Sequence, residues 1–281
     1  MENMDDVLRV HRAEFEYPPW EKFLEKKYLL PVVCYFLVWR LLARFVSTYL
    51  WKDYQGFRQY RLRNLSICFL HSLFTGSAAL IFSFVNIKIM LEDPLHWWDD
   101  SCAHIFFLSI GYFVHDALDM LSHEWSKWML ELLFHHFMTI FVFSVQLSTQ
   151  KFQPYAFWAL LMEVSSVFLH SRSLLQLSGA SERNPRLFRG FLWMNLFAFI
   201  AFRFCVQTWQ IWWVVTNHKR IASFYFGVGF FGGFIFLTIN CFLFYRVLCS
   251  DGFLGEKRRN ALSNRDKQTF VKALDNSDKS L

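Results

Sequence analysis

Imidazoles, carboxylates and guanidinium groups recur inside stretches of this chain that are otherwise built to avoid water. His71, then His115, Asp116 and Asp119, then Glu131, His135 and His136, then Glu163, His170 and Arg172, then Arg203, Gln207 and Gln210, and finally Asn240 each interrupt a long apolar run. An imidazole oriented by a carboxylate can act as a general base or acid, and a guanidinium can hold an anion. Spacing says which of them share a helix face. His115 and Asp119 stand four residues apart, as do Glu131 and His135, while Arg203, Gln207 and Gln210 follow an i, i+4, i+7 stripe. Adjacent His135 and His136 diverge by about 100° around a helix, so both can line one cavity only if it is wide or the helix is central. Charges at bilayer depth cost about 2.5–3.5 kcal/mol each on insertion scales, which turns them toward a bundle interior. Two arrangements are open. The groups converge from separate helices on one lipid-sized polar cavity, or they satisfy one another pairwise, with Arg203 on Asp116, Asp119 or Glu163. No His/carboxylate triple converges on a metal by spacing within one helix, and no CxxC pair occurs, so neither a metal nor a cofactor is expected.

The elements that must position these residues are membrane helices. Of 281 residues, 54% are hydrophobic, 20% aromatic and only 19% charged, too little polar surface for a water-soluble globule. Seven apolar spans, 29–50, 65–91, 103–121, 128–149, 154–176, 187–215 and 223–248, are each long enough to cross a bilayer core, which takes roughly 20 residues of helix. The connections between them are too short for a separate soluble domain. The expected fold is therefore all-α, a multi-pass membrane helix bundle. Residues 1–28 form an N-terminal tail, 29–50 a first transmembrane helix, 60–250 a six-helix unit, and 251–281 a basic tail. The acidic, mixed start lacks the basic-then-apolar layout of a cleaved signal peptide, so the first span is expected to be its own insertion signal.

Loop charge orients the bundle. With seven crossings, one side carries sixteen Lys and Arg and the other eight, which places the C-terminus in the cytosol. Lys26 and Lys27 pull the other way, and Arg40 and Arg44 inside the first span either snorkel or stop it from fully crossing. Trp97, Trp98, Trp125, Trp128, Trp209, Trp212 and Trp213 cluster near span ends, where indoles favour the headgroup level. The sequon Asn64-Leu65-Ser66 falls on the cytosolic side and is expected to be unused. Polar residues beyond the last span read as disordered, with Lys257, Arg258 and Arg259 close enough to touch anionic headgroups. Gly229 and Gly233 form a GxxxG that lets a neighbouring helix approach closely.

Four segments in successive spans, GYFVHDALDML at 111–121, LLFHHFMTIF at 132–141, LMEVSSVFLHSR at 161–172 and FRFCVQ at 202–207, together resemble the TLC-domain family, which includes ceramide synthases and the translocon-associated TRAM proteins. The likeness covers roughly residues 60–250 and is nearest the calfacilitin-like branch, whose members regulate membrane phospholipid composition and fluidity. Ser250 and Asp251 after the last span also resemble that branch. The resemblance implies a plasma-membrane protein that limits incorporation of polyunsaturated acyl chains into phospholipids, with the endoplasmic reticulum as the alternative location. Its partners would be membrane phospholipids or acyl chains, and no nucleic acid. His135, His136 and Thr139 match part of the ceramide-synthase active centre, which implies an alternative function: an acyl-CoA-dependent acyltransferase with His135 and His136 as catalytic residues. The downstream His-Asp dyad of that centre is absent, Met162 and Glu163 standing in the comparable region. The polar lining expected of the cavity is thus His71, His115, Asp116, Asp119, Glu131, Thr139, Glu163, His170, Arg203 and Gln207.

Overall fold

A computed structural model describes residues 17–123, 127–256 and 260. Trp125 and the basic run at 257–259 lie outside the described residues, as do the side chain of Trp128 and nearly all of the two tails. The described elements are helices. They are α1 (Lys26–Phe45), α2 (Gly56–Val85), α3 (Asp100–His123), α4 (Lys127–Thr149), α5 (Gln153–Leu160), α6 (Met162–Leu177), α7 (Pro185–Phe199), α8 (Val206–Thr216) and α9 (Ser223–Ser250). Two π-helical segments continue the chain, Val46–Leu50 after α1 and Ile200–Cys205 between α7 and α8.

Six helices are long and apolar enough to cross a membrane: Lys26–Leu50, Gly56–Val85, Asp100–His123, Met129–Thr149, Pro185–Thr216 and Ser223–Ser250. The first span is thus a full-length helix, with Arg40 and Arg44 exposed on it. The expected fifth span, 154–176, is not one helix. It is divided into α5 and α6 at Leu161, and α6 carries Glu163, His170 and Arg172, which lower its apolar character. The two halves remain stacked along α2, which packs against both.

Local chemistry sets the ends. Pro154 and Pro185 open α5 and α7, where a missing N–H costs no helical hydrogen bond. Gly179 follows α6 with φ +78°, a left-handed conformation that a side chain would strain. Between α4 and α5, Gln150 and Phe152 also adopt positive φ without being glycine. Phe152 is held there by its N–H donating to the Leu95 carbonyl at 2.8 Å, and Gln153 exchanges two bonds with the Asp99 backbone.

The bundle buries an aromatic core while leaving an apolar belt outward. Phe82 stacks on Phe157 at 3.9 Å and Phe106 meets both Phe143 and Phe157 edge-on. Leu30, Leu37, Leu41, Phe197, Phe231 and Phe242 face outward, the arrangement hydrocarbon solvent rewards. Close approach is allowed where side chains vanish. A Cβ on Gly111 would lie 2.8 Å from the Phe36 backbone nitrogen in α1, and one on Gly76 would lie 3.0 Å from the Val164 nitrogen in α6.

Candidate functional site

Between α4, α5, α6, α8 and α9 lies a cavity whose non-atom space, open mouth included, is about 1210 Å³. Its walls follow the periodicity of the helices that build it. His135, Thr139, Val142 and Gln146 descend one face of α4, and Tyr225, Gly229, Gly232, Phe236 and Asn240 line α9. Opposite them stand Arg203, Gln207, Gln210 and Val214. From Asn240 to Tyr225 the wall is fifteen residues long, about 22 Å at helical rise. Most of the lining is apolar; the charged groups, Arg203 and Glu163, lie at the Asn240 end, while Gln146, Gln210 and Tyr225 add neutral polar groups farther along.

Arg203 is 9% exposed and sits in the π-helical segment before α8, a helix irregularity that recurs at functional sites. Its Nε donates to Ser165 Oγ at 2.6 Å, Nη1 to Asn240 Oδ1 at 2.7 Å and Nη2 to Ser166 Oγ at 2.8 Å, with the guanidinium over the Phe199 ring at 5.1 Å. All three partners are neutral. Glu163 lines the same cavity, yet its Oε2 accepts from Ser72 at 2.6 Å and lies 3.9 Å from His71 Nδ1. The pairing of Arg203 with Asp116, Asp119 or Glu163 that the sequence left open is therefore not made.

The two adjacent histidines have different jobs. His136 is 3% exposed, with Nε2 2.9 Å from Asp116 Oδ2 and Nδ1 2.6 Å from the Leu132 carbonyl. Asn64 Nδ2 donates to the other oxygen of Asp116 at 2.5 Å, which completes a buried chain of three side chains. His135 instead faces the cavity, edge-on to Phe236 at 5.1 Å, and its Nδ1 has no hydrogen-bond partner. Beside it, the Thr139 hydroxyl donates to the His135 carbonyl at 2.9 Å, so its lone pairs stay open to the cavity.

A family model described as TLC domain matches residues 61–249. The chain belongs to the TLC domain family. It is 31% identical over 209 residues to TLC domain-containing protein 2 of Danio rerio, covering 74% of this chain and 84% of that protein. To TLC domain-containing protein 1 of Gallus gallus it is 35% identical over 158 residues, 56% of this chain and 62% of the relative. A human TLC domain-containing protein 2 is 27% identical over 189 residues, 67% of this chain and 70% of that protein. The matched segment begins five residues into α2 and ends in α9, which leaves α1 outside the TLC domain as an added helix against α3.

Within this TLC domain the expected polar set is divided. His135, Thr139, Glu163, Arg203 and Gln207 line the cavity. Asp116 and His136 stand behind it as a pair. His71 is walled off, stacked on Tyr112 at 3.8 Å and bonded to Ser109 at 3.3 Å. Asp119 pairs with Arg63 at 2.6 Å near the end of α3, and Glu131 is exposed, 3.4 Å from Arg246. Glu131 therefore leaves the cavity set: it sits in the second turn of α4 and is exposed. His115 is buried with an unpartnered Nδ1, and neither it nor His170 lines the cavity.

Several participants were not among the residues singled out from the sequence, although Ser165 and Ser166 lie inside the LMEVSSVFLHSR segment. Ser165, Ser166 and Ser72 serve as donors or acceptors only because α2, α6 and the π segment meet. Gln146 is 2% exposed, with both its amide atoms unpartnered, and lines the cavity far from Arg203. Tyr225 also lines it with an unpartnered hydroxyl. A polar residue recurring at i+11 from His135 was the available signal for Gln146. Arg172 bonds Ser250 and Asp251, tying the end of α6 to the end of α9.

Proposed function

We propose that this TLC-domain protein takes a lipid acyl chain into the cavity and thereby regulates phospholipid fatty-acyl composition and membrane fluidity. In this reading it limits incorporation of polyunsaturated chains into plasma-membrane phospholipids, with its C-terminus in the cytosol. One observation carries the lipid part. His135, Gln146, Gln207 and Tyr225, four buried or half-buried residues with unpartnered polar atoms, all border a single long apolar cavity. Buried polar atoms are otherwise satisfied, and a bundle-core pocket with a few open polar groups is the ordinary form of a small-molecule site. The link to acyl composition comes from the likeness to the calfacilitin-like branch.

The test is the phospholipid profile of cells lacking the protein after a polyunsaturated fatty-acid challenge. The polyunsaturated fraction of phosphatidylethanolamine and phosphatidylcholine rises, and re-expression of the wild-type chain restores it. An unchanged profile overturns the proposal.

The orientation of His135 favours a second reading, an acyl-CoA-dependent acyltransferase. An imidazole nitrogen open to an apolar cavity, with the Thr139 hydroxyl one turn away, is placed to take a proton from an acceptor amine or hydroxyl. Asp116 cannot orient that ring, because its oxygens are taken by Asn64 and His136. Purified protein given labelled acyl-CoA and either a sphingoid amine or a lysophospholipid acceptor decides it. Turnover abolished by His135→Ala establishes the transferase, and its absence from the wild type excludes this pair of substrates.

A further inference from the structure

We infer that Arg203 anchors the carboxylate of a single-chain acyl amphiphile whose tail occupies the cavity toward Tyr225. The inference rests on the reading of the cavity as a lipid site and names what enters it. A guanidinium has five N–H groups. Ser165, Asn240 and Ser166 accept three of them. One hydrogen remains on each of Nη1 and Nη2, enough donors to serve the two oxygens of a carboxylate.

Charge balance points the same way. No carboxylate among the described residues lies within 4.0 Å of this guanidinium. Its three neutral partners orient the positive charge without cancelling it. Glu163 lines the same cavity and attracts this guanidinium at longer range, but it is directly engaged by Ser72 and His71, so an incoming carboxylate supplies the direct counter-ion that the fold leaves out. Gln207, one turn along the same face, carries an unpartnered Oε1, and His135 across the cavity carries an unpartnered Nδ1, so further polar capacity converges on this end.

The rest of the cavity suits one hydrocarbon chain. From Asn240 toward Tyr225 the walls are mainly apolar, Phe236, Val228, Val214 and Trp213 among them, with Gln146 and Gln210 interrupting them. The wall length of about 22 Å exceeds one leaflet's share, about 15 Å, of a roughly 30 Å hydrocarbon core. Gly232 marks the void: it is buried, yet a Cβ built on it meets no atom within 4 Å. A side chain there enters the space assigned to the tail without displacing protein. Gly229 and Gly233 differ, since a Cβ on either would press on Val214 or Ile211 at 2.9 and 2.7 Å.

The test is equilibrium binding of tritiated oleate to the purified full-length protein, with oleyl alcohol and lysophosphatidate as competitors. Wild type prefers oleate to oleyl alcohol by about ten- to hundredfold, the value of a charge-assisted hydrogen-bond pair. Arg203→Gln removes that preference, read as the ratio of the oleate to the oleyl alcohol affinity of the same variant. Gly232→Leu weakens oleate and oleyl alcohol together. Equal wild-type affinity for oleate and oleyl alcohol overturns the anchor while leaving the lipid cavity standing, and it requires no variant to fold. Lysophosphatidate outcompeting oleate overturns the assignment to a carboxylate. If no amphiphile binds and Gly232→Leu changes nothing, the cavity reading itself falls.

Discussion

At the residue scale, the paired histidines separate by what each would leave behind. His136 lies within hydrogen-bond reach of a buried carboxylate and a carbonyl, so His136→Ala strands Asp116 with Asn64 as its remaining partner. Removing one member of a buried polar pair costs about 3–5 kcal/mol. The His135 ring makes only edge contacts, to Phe236 and His136, and no hydrogen bond; losing such contacts costs about 0.5–1.5 kcal/mol. Thermal-unfolding midpoints in detergent therefore fall much further for His136→Ala than for His135→Ala. Equal midpoints contradict the division. Sequence alone made this pair conspicuous but could not assign the roles, because helical spacing gives the angle between neighbours and not the identity of what each faces. Asn64 shows the limit most clearly. Its sequon suggested only glycosylation, while its actual partner comes from α3, fifty-two residues along.

At the element scale, what was legible followed from solvent. Six of the seven expected apolar spans reappear as membrane-length helices because the lipid-facing surface must be apolar along its whole length. The expected second span begins at residue 65, but α2 begins at Gly56, since Arg58, Arg61 and Arg63 extend the helix past its apolar stretch. The break at Leu161 left no proline or glycine to announce it, and its near-helical backbone, φ −60° and ψ −24°, differs little from an unbroken helix. Glycine was legible only in part. The pair Gly229 and Gly233 gave a recognisable motif and does admit α8 closely, yet lone Gly111 has the comparably tight contact with α1. A Cβ there meets backbone, which cannot swing aside as a side chain can. Gly111→Ala consequently pushes α1 off α3, breaking the bond from Trp39 Nε1 to the Leu108 carbonyl. An overpacking cost of about 1–3 kcal/mol is expected. Hydrogen exchange reads it as faster exchange along α1, and unchanged exchange contradicts the packing argument.

At the scale of the whole molecule, contacts at the two ends of the bundle decide how often the chain passes through it. At one end Arg58 donates to the Leu177 carbonyl, Arg63 pairs with Asp119, and Arg172 bonds Asp251. At the other, Lys27 meets Asp100, Phe152 bonds Leu95, and Gln153 bonds Asp99. The α5–α6 pair thus starts beside the loop between α2 and α3 and stops beside the start of α2, running the length of that 30-residue helix. We propose that these two half-length helices cross together, which neither is long or apolar enough to do alone. A joint crossing by α5 and α6 predicts seven passes, with α1 beginning at the end of the bundle opposite to the one where α9 stops. Arg58, Arg63, Arg172 and Arg246 gather at the α9-terminal end, from which the positive-inside tendency predicts a cytosolic C-terminus. Epitope tags at the two termini test this directly. In cells opened selectively at the plasma membrane, a C-terminal tag is reached by antibody. An N-terminal tag is reached either from outside intact cells or only after internal membranes are dissolved, according to where the protein resides. Both tags appearing on one face would mean that α5 and α6 do not jointly cross, and the bundle would have to be redrawn with six passes.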